Sequence, residues 1–237
     1  MASSPPTKAP TGSPLPGLLI LLSVTTGLID AVSVLGLAKT FSANMTGNIV
    51  FLGFGLARTP GFSVEPNLVA LATFIGGALI AGRTGLAYGK RPLRHWLMVA
   101  AIVETVLLWT AAVIALDYDP AGSSPRWALF AIIGLTAVAM GFRNATIRQL
   151  KVPDLTTTVL TLTITGIAAD SSLAGGSNPN LARRIAAVVA ILLGAALGAW
   201  MVVACGLALP LFVSGLVVLL GTTACVRHPA AALPRQA

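Results

Sequence analysis

Six stretches of this chain, each about as long as a bilayer is thick, carry few charges: Gly17–Ala38, Asn67–Tyr88, Trp96–Leu116, Trp127–Arg148, Arg184–Cys205 and Leu207–Val226. A helix rises about 1.5 Å per residue, so roughly 20 apolar residues cross a hydrocarbon core of about 30 Å. No water is present there to satisfy backbone groups, so such stretches must be helices. Charged residues are 9% of the 237, against about a quarter in soluble domains, which excludes a water-soluble fold. The predicted class is all-α: a polytopic helix bundle whose partner is the lipid bilayer.

Two further apolar runs, Ile49–Ala57 and Thr158–Ala169, are too short to cross untilted. Each follows a polar leader: Phe41-Ser42-Ala43-Asn44-Met45-Thr46-Gly47-Asn48 in the first case, and the threonines from Thr156 to Thr163 in the second. Irregular backbone at membrane depth survives only inside protein or beside a water-filled cavity, and paired breaks in two halves of a chain point to a transport site. Loop charge separates the two topologies. If all eight runs cross, the fifteen Lys and Arg residues divide almost evenly between the sides. If the short runs dip and return, Lys39, Arg58 and Arg126 face outside and all the others face inside, as the positive-inside rule requires. Six crossings with two re-entrant segments are therefore expected, with both termini cytoplasmic.

The net charge of +8 is not a nucleic-acid signature, because the basic residues sit between apolar runs rather than along one face. Residues 1–14, rich in Pro, Ser and Thr, read as a disordered cytoplasmic tail, residues 15–226 as one membrane domain, and residues 227–237 as a second cytoplasmic tail. The run from Leu15 outlasts a signal-peptide core, and Asp30 stands where small residues would mark cleavage. Cys205 and Cys225 are expected at opposite ends of adjacent antiparallel helices, too far apart for a disulfide. His95 and His228 fall at helix ends, with no metal-ligand cluster and no implied cofactor.

An internal repeat of about 17–116 and 127–226 is expected. Gly27-Leu28-Ile29-Asp30-Ala31 matches Gly141-Phe142-Arg143-Asn144-Ala145, Thr46-Gly47-Asn48 matches Thr161-Leu162-Thr163, and Gly77-Ala78-Leu79-Ile80-Ala81 matches Gly194-Ala195-Ala196-Leu197-Gly198. Three crossings per half make the two repeats point in opposite directions. The glycine and alanine strings are expected to let helices pack closely within the bundle; a homo-oligomer interface is the alternative use.

Through Gly27-x-x-Asp30-Ala31, Phe41-Ser42-Ala43-Asn44-Met45-Thr46-Gly47-Asn48 and Gly141-x-x-Asn144-Ala145 with the threonine segment, the chain resembles the YoaK-like family of bacterial integral membrane proteins of unassigned function. The likeness covers most of residues 17–226, with Leu162 where family members often carry glycine. It implies a multi-pass protein of the bacterial cytoplasmic membrane, and it supplies neither substrate nor catalytic residues.

The candidate pathway residues are Asp30, Asn44, Thr46, Gly47, Asn48, Asn144, Thr158 and Thr161. Asp30 lies well inside the first helix, and an ionisable group there is a functional candidate by default; its other use is as a hydrogen-bonded brace between helices. The side chains of Asn44 and Thr46 can cap a half-helix, and Gly47 allows close backbone approach. Glu104 is expected either to pair with Arg143 or Arg83 in a buried charge network or to serve the pathway itself, while Arg91, Arg94 and Arg148 reach the interface. The leading function is a small-solute or ion transporter or channel with a site near the membrane midplane. The alternatives are a scaffold or partner subunit and an intramembrane enzyme; neither Gly-x-Ser-x-Gly nor His-Glu-x-x-His occurs, so no enzyme is expected.

Overall fold

The computed structural model describes residues 13–88, 91–150 and 160–232. They form eight α-helices: α1 (Leu15–Gly36), α2 (Met45–Leu56), α3 (Val64–Ala87), α4 (Leu93–Ile114), α5 (Arg126–Leu150), α6 (Leu160–Ala169), α7 (Leu181–Cys205) and α8 (Ala208–Val226). Six are long and apolar enough to cross a membrane, and α2 and α6 are not. Several long helices begin two or three residues before the apolar run does. The N–H groups of a first turn have no partner within the helix, so that turn accepts polar residues and proline, as α1 does with Pro16 and α3 with Glu65 and Pro66. Between α7 and α8 only Gly206 and Leu207 intervene; Gly206 takes φ +76°, which glycine adopts without strain.

Contacts between helix ends fix the direction of each helix. Tyr118, just past α4, donates its hydroxyl to the Gly36 carbonyl at 3.2 Å, so α1 and α4 finish at the same end of the bundle, here the far end. Asp119 and Ser124 bridge backbone to backbone, closing the turn into α5 at that end. Arg126 of α5 pairs with Glu65 of α3 at 2.5 Å, so α3 also starts there. Thus α2 leaves from the far end and returns to it. Val24 meets Gly194 and Leu28 meets Gly198, so α7 runs alongside α1 in the same direction; Gly77 against Val138 and Gly85 against Gln149 make α3 and α5 parallel in the same way. Since α5 finishes and α7 starts at the opposite, near end, α6 lies between two helix termini of that end. Leu207 meets Gly36 and Leu21 meets Gly221, which makes α8 antiparallel to α1.

The principal helix pairs are α1 on α7, α3 on α5, α4 on α8, α4 on α5, α1 on α8, α2 on α3 and α6 on α7. Exchanging α1–α4 with α5–α8 in order turns this set into itself. The matching glycines occupy matching crossings: Gly27 and Gly194 sit where α1 meets α7, and Gly141 and Gly77 where α5 meets α3. In each case a Cβ would strike backbone of the partner helix, so the two main crossings exist only because these positions lack side chains.

The interior falls into two apolar clusters. Ile29, Val32, Leu108, Ile132, Ile133, Met140 and Leu211 fill the far half, and Leu18, Leu19, Leu22, Leu97, Ile147 and Val218 the near half. Between them lie Thr26, Glu104, Thr105, Arg143 and Ser214, all buried. Thr105 spans this layer by donating to the Gly215 carbonyl at 3.1 Å.

Tyr118 gives the far end a measurable handle. Burial pushes its phenol above the usual tyrosine range, against the effect of its hydrogen bond with Ser123. The folded state therefore holds this proton more tightly than the unfolded one. Its contribution is complete below tyrosine's ordinary value of about 10 and is lost as pH rises through the raised value. Tyr118→Phe is expected to remove that alkaline loss from unfolding midpoints measured across high pH.

Candidate functional site

The polar segment ahead of α2 folds back into the bundle, and each of its residues has a local reason to be there. Asp30 Oδ1 accepts the Ala43 N–H at 3.0 Å. Asp30 is six residues, about 9 Å, short of the end of α1, so this N–H is held well below the helix end. Ser42 donates its N–H to Ser33 Oγ at 3.2 Å and its hydroxyl to Thr136 Oγ1 of α5 at 2.8 Å. Asn48 closes the loop by donating Nδ2 to the Phe41 carbonyl and accepting the Phe41 N–H on Oδ1, both at 2.7 Å. Asn44 then caps α2 by accepting the Gly47 N–H at 3.4 Å.

Gly47 has a steric task as well. A Cβ there would lie 2.6 Å from the Phe41 ring, which stacks on Phe51 at 5.8 Å; Phe51 and Phe54 in turn each meet Phe62 at 5.1 Å. Loop N–H groups bonded to Asp30, Ser33 and Asn48 satisfy the demand that a dry interior places on irregular backbone. Asn44 and Thr46 remain exposed, and α2 buries only Asn48.

On the other half, α6 is tied to the near end by Arg184, which donates Nη1 to the Gly166 carbonyl at 2.6 Å and to Asp170 Oδ2 at 2.7 Å. Asn144, at the position matching Asp30, is half-buried and donates to the Met140 carbonyl at 2.8 Å. Thr161 is exposed on α6, where Thr163 is the buried residue. Thr158 lies outside the described residues, so the threonine leader has no geometry to set beside that of residues 41–48.

At the centre, Arg143 pairs through Nη2 with Glu104 Oε1. Its Nη1 donates to the Leu22 carbonyl at 3.1 Å and to Thr26 Oγ1 at 3.0 Å. Side-chain exposures of 1% and 5% place both charges inside the bundle. Arg83, the other expected partner of Glu104, is exposed on α3, whereas Arg143 is buried and reaches α1 and α4 with its guanidinium. Cys205 and Cys225 are both free, at opposite ends of the bundle.

Residues 18–224 match a family model described as a protein of unknown function (DUF1275). The chain belongs to the DUF1275 family. Among curated relatives it is 31% identical over 160 residues to the UPF0700 transmembrane protein YoaK of Bacillus subtilis (strain 168), a match covering 65% of this chain and 66% of that protein. The chain thus spans just under two thirds of the relative's length. No solved structure matches it.

For this DUF1275 member the family supports a multi-pass integral membrane protein and leaves its chemistry to be argued from the residues. The Asp30, Asn44, Gly47 and Asn48 positions are brought together, and they build the loop before they do anything else. Ser33, Ser42, Thr136, Thr26 and Thr146 were not singled out from the sequence. Spacing offered one signal: Thr26 precedes Asp30 by four residues and Thr136 precedes Arg143 by seven, so each pair shares a helix face. Among the described residues no group of three or more His, Cys, Asp or Glu side chains could hold a metal ion.

Proposed function

We propose that this protein moves a small solute or ion across the bacterial cytoplasmic membrane, with both termini on the cytoplasmic side and no enzymatic activity. The observation that carries the reading is the pair of short helices. One leaves and rejoins the far end, and the other lies between helix termini of the near end, as opposed re-entrant segments do in transporters. The exchangeable pattern of helix pairs supports an inverted two-fold repeat, the usual frame for such segments. A polar layer that interrupts two apolar clusters at mid-bundle has little use in a purely structural bundle, since intramembrane charges are expensive.

Single cysteines at Ser63, Ala121 and His228, placed in a Cys205→Ser/Cys225→Ser background, test the frame in intact cells with an impermeant maleimide. Labelling at Ser63 and Ala121 but not at His228 is expected. Equal labelling at His228 would place the near end outside and remove the cytoplasmic assignment. Transport itself is tested with the purified protein in vesicles on a sensor that records charge movement, during rapid exchange of monovalent ions and small organic acids and amines. At least one exchange is expected to give a current that Asp30→Asn reduces at least tenfold. Silence to every exchange, with no solute-driven vesicle swelling, would sink the transport reading.

A further inference from the structure

We propose that Glu104 is a proton-binding gate, reached by water from the near end through the cavity between α1, α4, α5 and α8, with Arg143 as the group that opens and closes it. This rests on the transport reading only for its purpose; the site itself is a matter of geometry. The cavity has a volume of about 30 Å³ and is walled by apolar side chains of the near half, among them Leu18, Leu22, Leu97 and Val218. Its polar groups include Glu104, Arg143 and Thr146. A water molecule needs roughly 10–15 Å³ of such space and two to four polar partners. Arg143 Nε and Thr146 Oγ1 are both buried and have no hydrogen-bond partner among the described residues, and the Glu104 carboxylate lies in the same lining. These three groups are the partners that a water molecule next to Glu104 requires.

The proposed path runs in one direction. Leu18, Leu97 and Leu150 belong to the near-end turns of their helices, so the cavity lies on the near side of the polar layer. On the far side, Ile29, Leu108, Ile132, Met140 and Leu211 are fully buried against one another. Water therefore meets Glu104 from the near end and goes no further.

The charges around Glu104 are unbalanced. Arg143 faces it from α5, and Asp30 lies on α1 one turn beyond Thr26, on the face that meets the same guanidinium through Thr26. From α8 come Ser214, Thr222 and, nearer the end, the Cys225 thiol. The guanidinium thus pairs with the Glu104 carboxylate and has a second carboxylate one helical turn further along α1. In the proposed step a hydronium ion in the cavity gives its proton to Glu104 Oε1 and leaves as water, forming one O–H bond. Arg143 keeps its own proton and shifts its guanidinium from Glu104 and Thr26 toward Asp30, a distance of about 6 Å along one face of α1. On return the Glu104 O–H bond breaks, the proton leaves to cavity water, and the ion pair closes again. The ligand is a proton, and the device is suited to coupling its movement to that of a solute.

Two measurements on the full chain in phospholipid vesicles test this without a known solute. Infrared difference spectra between acid and neutral pH are expected to show the carbonyl stretch of a protonated carboxyl, lost in Glu104→Gln. Separately, Thr146→Cys in the cysteine-free background is expected to react with a small charged thiosulfonate from the near-end side only. A spectrum unchanged by Glu104→Gln would overturn the proton site. An unreactive Thr146→Cys, or one modified equally from both sides, would overturn the one-sided water path, and it remains informative should Glu104→Gln fail to fold. A solute current that persists without the Glu104 band would leave the transport reading standing and remove the gate; the band without any current would do the reverse.

Discussion

Glu104→Ala is expected to cost about 3–5 kcal/mol of stability, because it leaves the buried Arg143 charge without its counter-ion. The guanidinium would keep its bonds to the Leu22 carbonyl and Thr26 Oγ1 and lose the carboxylate that neutralises it. Removing both charges is a different experiment. A Glu104→Leu/Arg143→Met double variant replaces the pair with apolar side chains of similar volume, and such replacements of buried pairs are often neutral or stabilising. The double variant is expected to recover most of the loss. The check is a double-mutant cycle in mild detergent, read from unfolding midpoints and from monodispersity on size exclusion. If Glu104→Ala alone proved harmless, the Arg143 charge would have to be neutralised by something other than Glu104. If the double variant were as unstable as the single one, the ion pair would be a fold requirement rather than a functional group.

The second large effect concerns two adjacent glycines of α3 that face opposite environments. A Cβ on Gly77 would fall on the Val138 carbonyl of α5, and backbone cannot rotate aside as a side chain can. Gly77→Ala therefore has to push α3 and α5 apart along their whole contact, and about 3 kcal/mol is expected from overpacking of this kind. Gly76, one residue earlier, has nothing within 4 Å of its would-be Cβ. Gly76→Ala is expected to be neutral or to stabilise by about 0.5–1 kcal/mol, through the lower helix cost of alanine. Measured side by side by unfolding in detergent, the two variants separate close helix packing from general tolerance for small residues. The same logic gives Gly194→Ala the behaviour of Gly77→Ala, since its Cβ would meet the Val24 carbonyl of α1. Parallel losses at Gly77 and Gly194 would show that the two crossings carry comparable weight, as an inverted repeat requires.

These expectations bear on how the polar loop is understood. Residues 41–48 hold the chain inside the bundle through Asp30, Ser33, Thr136 and Asn48, so most of their hydrogen-bonding capacity is spent on the loop itself. Asn44 and Thr46, which would serve a passing solute most directly, are exposed at the edge of the bundle. Buried groups with capacity to spare include Arg143 in the central layer and Thr146 one turn nearer the end, besides Asn67 of α3. The central layer therefore holds unspent hydrogen-bonding capacity that the loop has largely used.

What the sequence determined by itself was everything that follows from chain-local physics. Apolar run length and the hydrocarbon thickness set six long helices and two short ones, and the polar leader with Asn44 and Gly47 marked where α2 begins. Glycine spacing gave the positions at which helices come close. Glu104 was legible as a charge in need of a partner, but its choice of Arg143 over Arg83 was not. Both arginines lie near the same depth on helices running in the same direction, and only the side of the bundle that each helix presents separates them. Tertiary structure alone decided that Asp30 binds the loop backbone, that Asn44 and Thr46 face outward, and that Arg143 and Thr146 share a cavity with Glu104. The physical reason is that helix rise fixes depth from sequence position, whereas rotation about the helix axis is set by which neighbours pack against it.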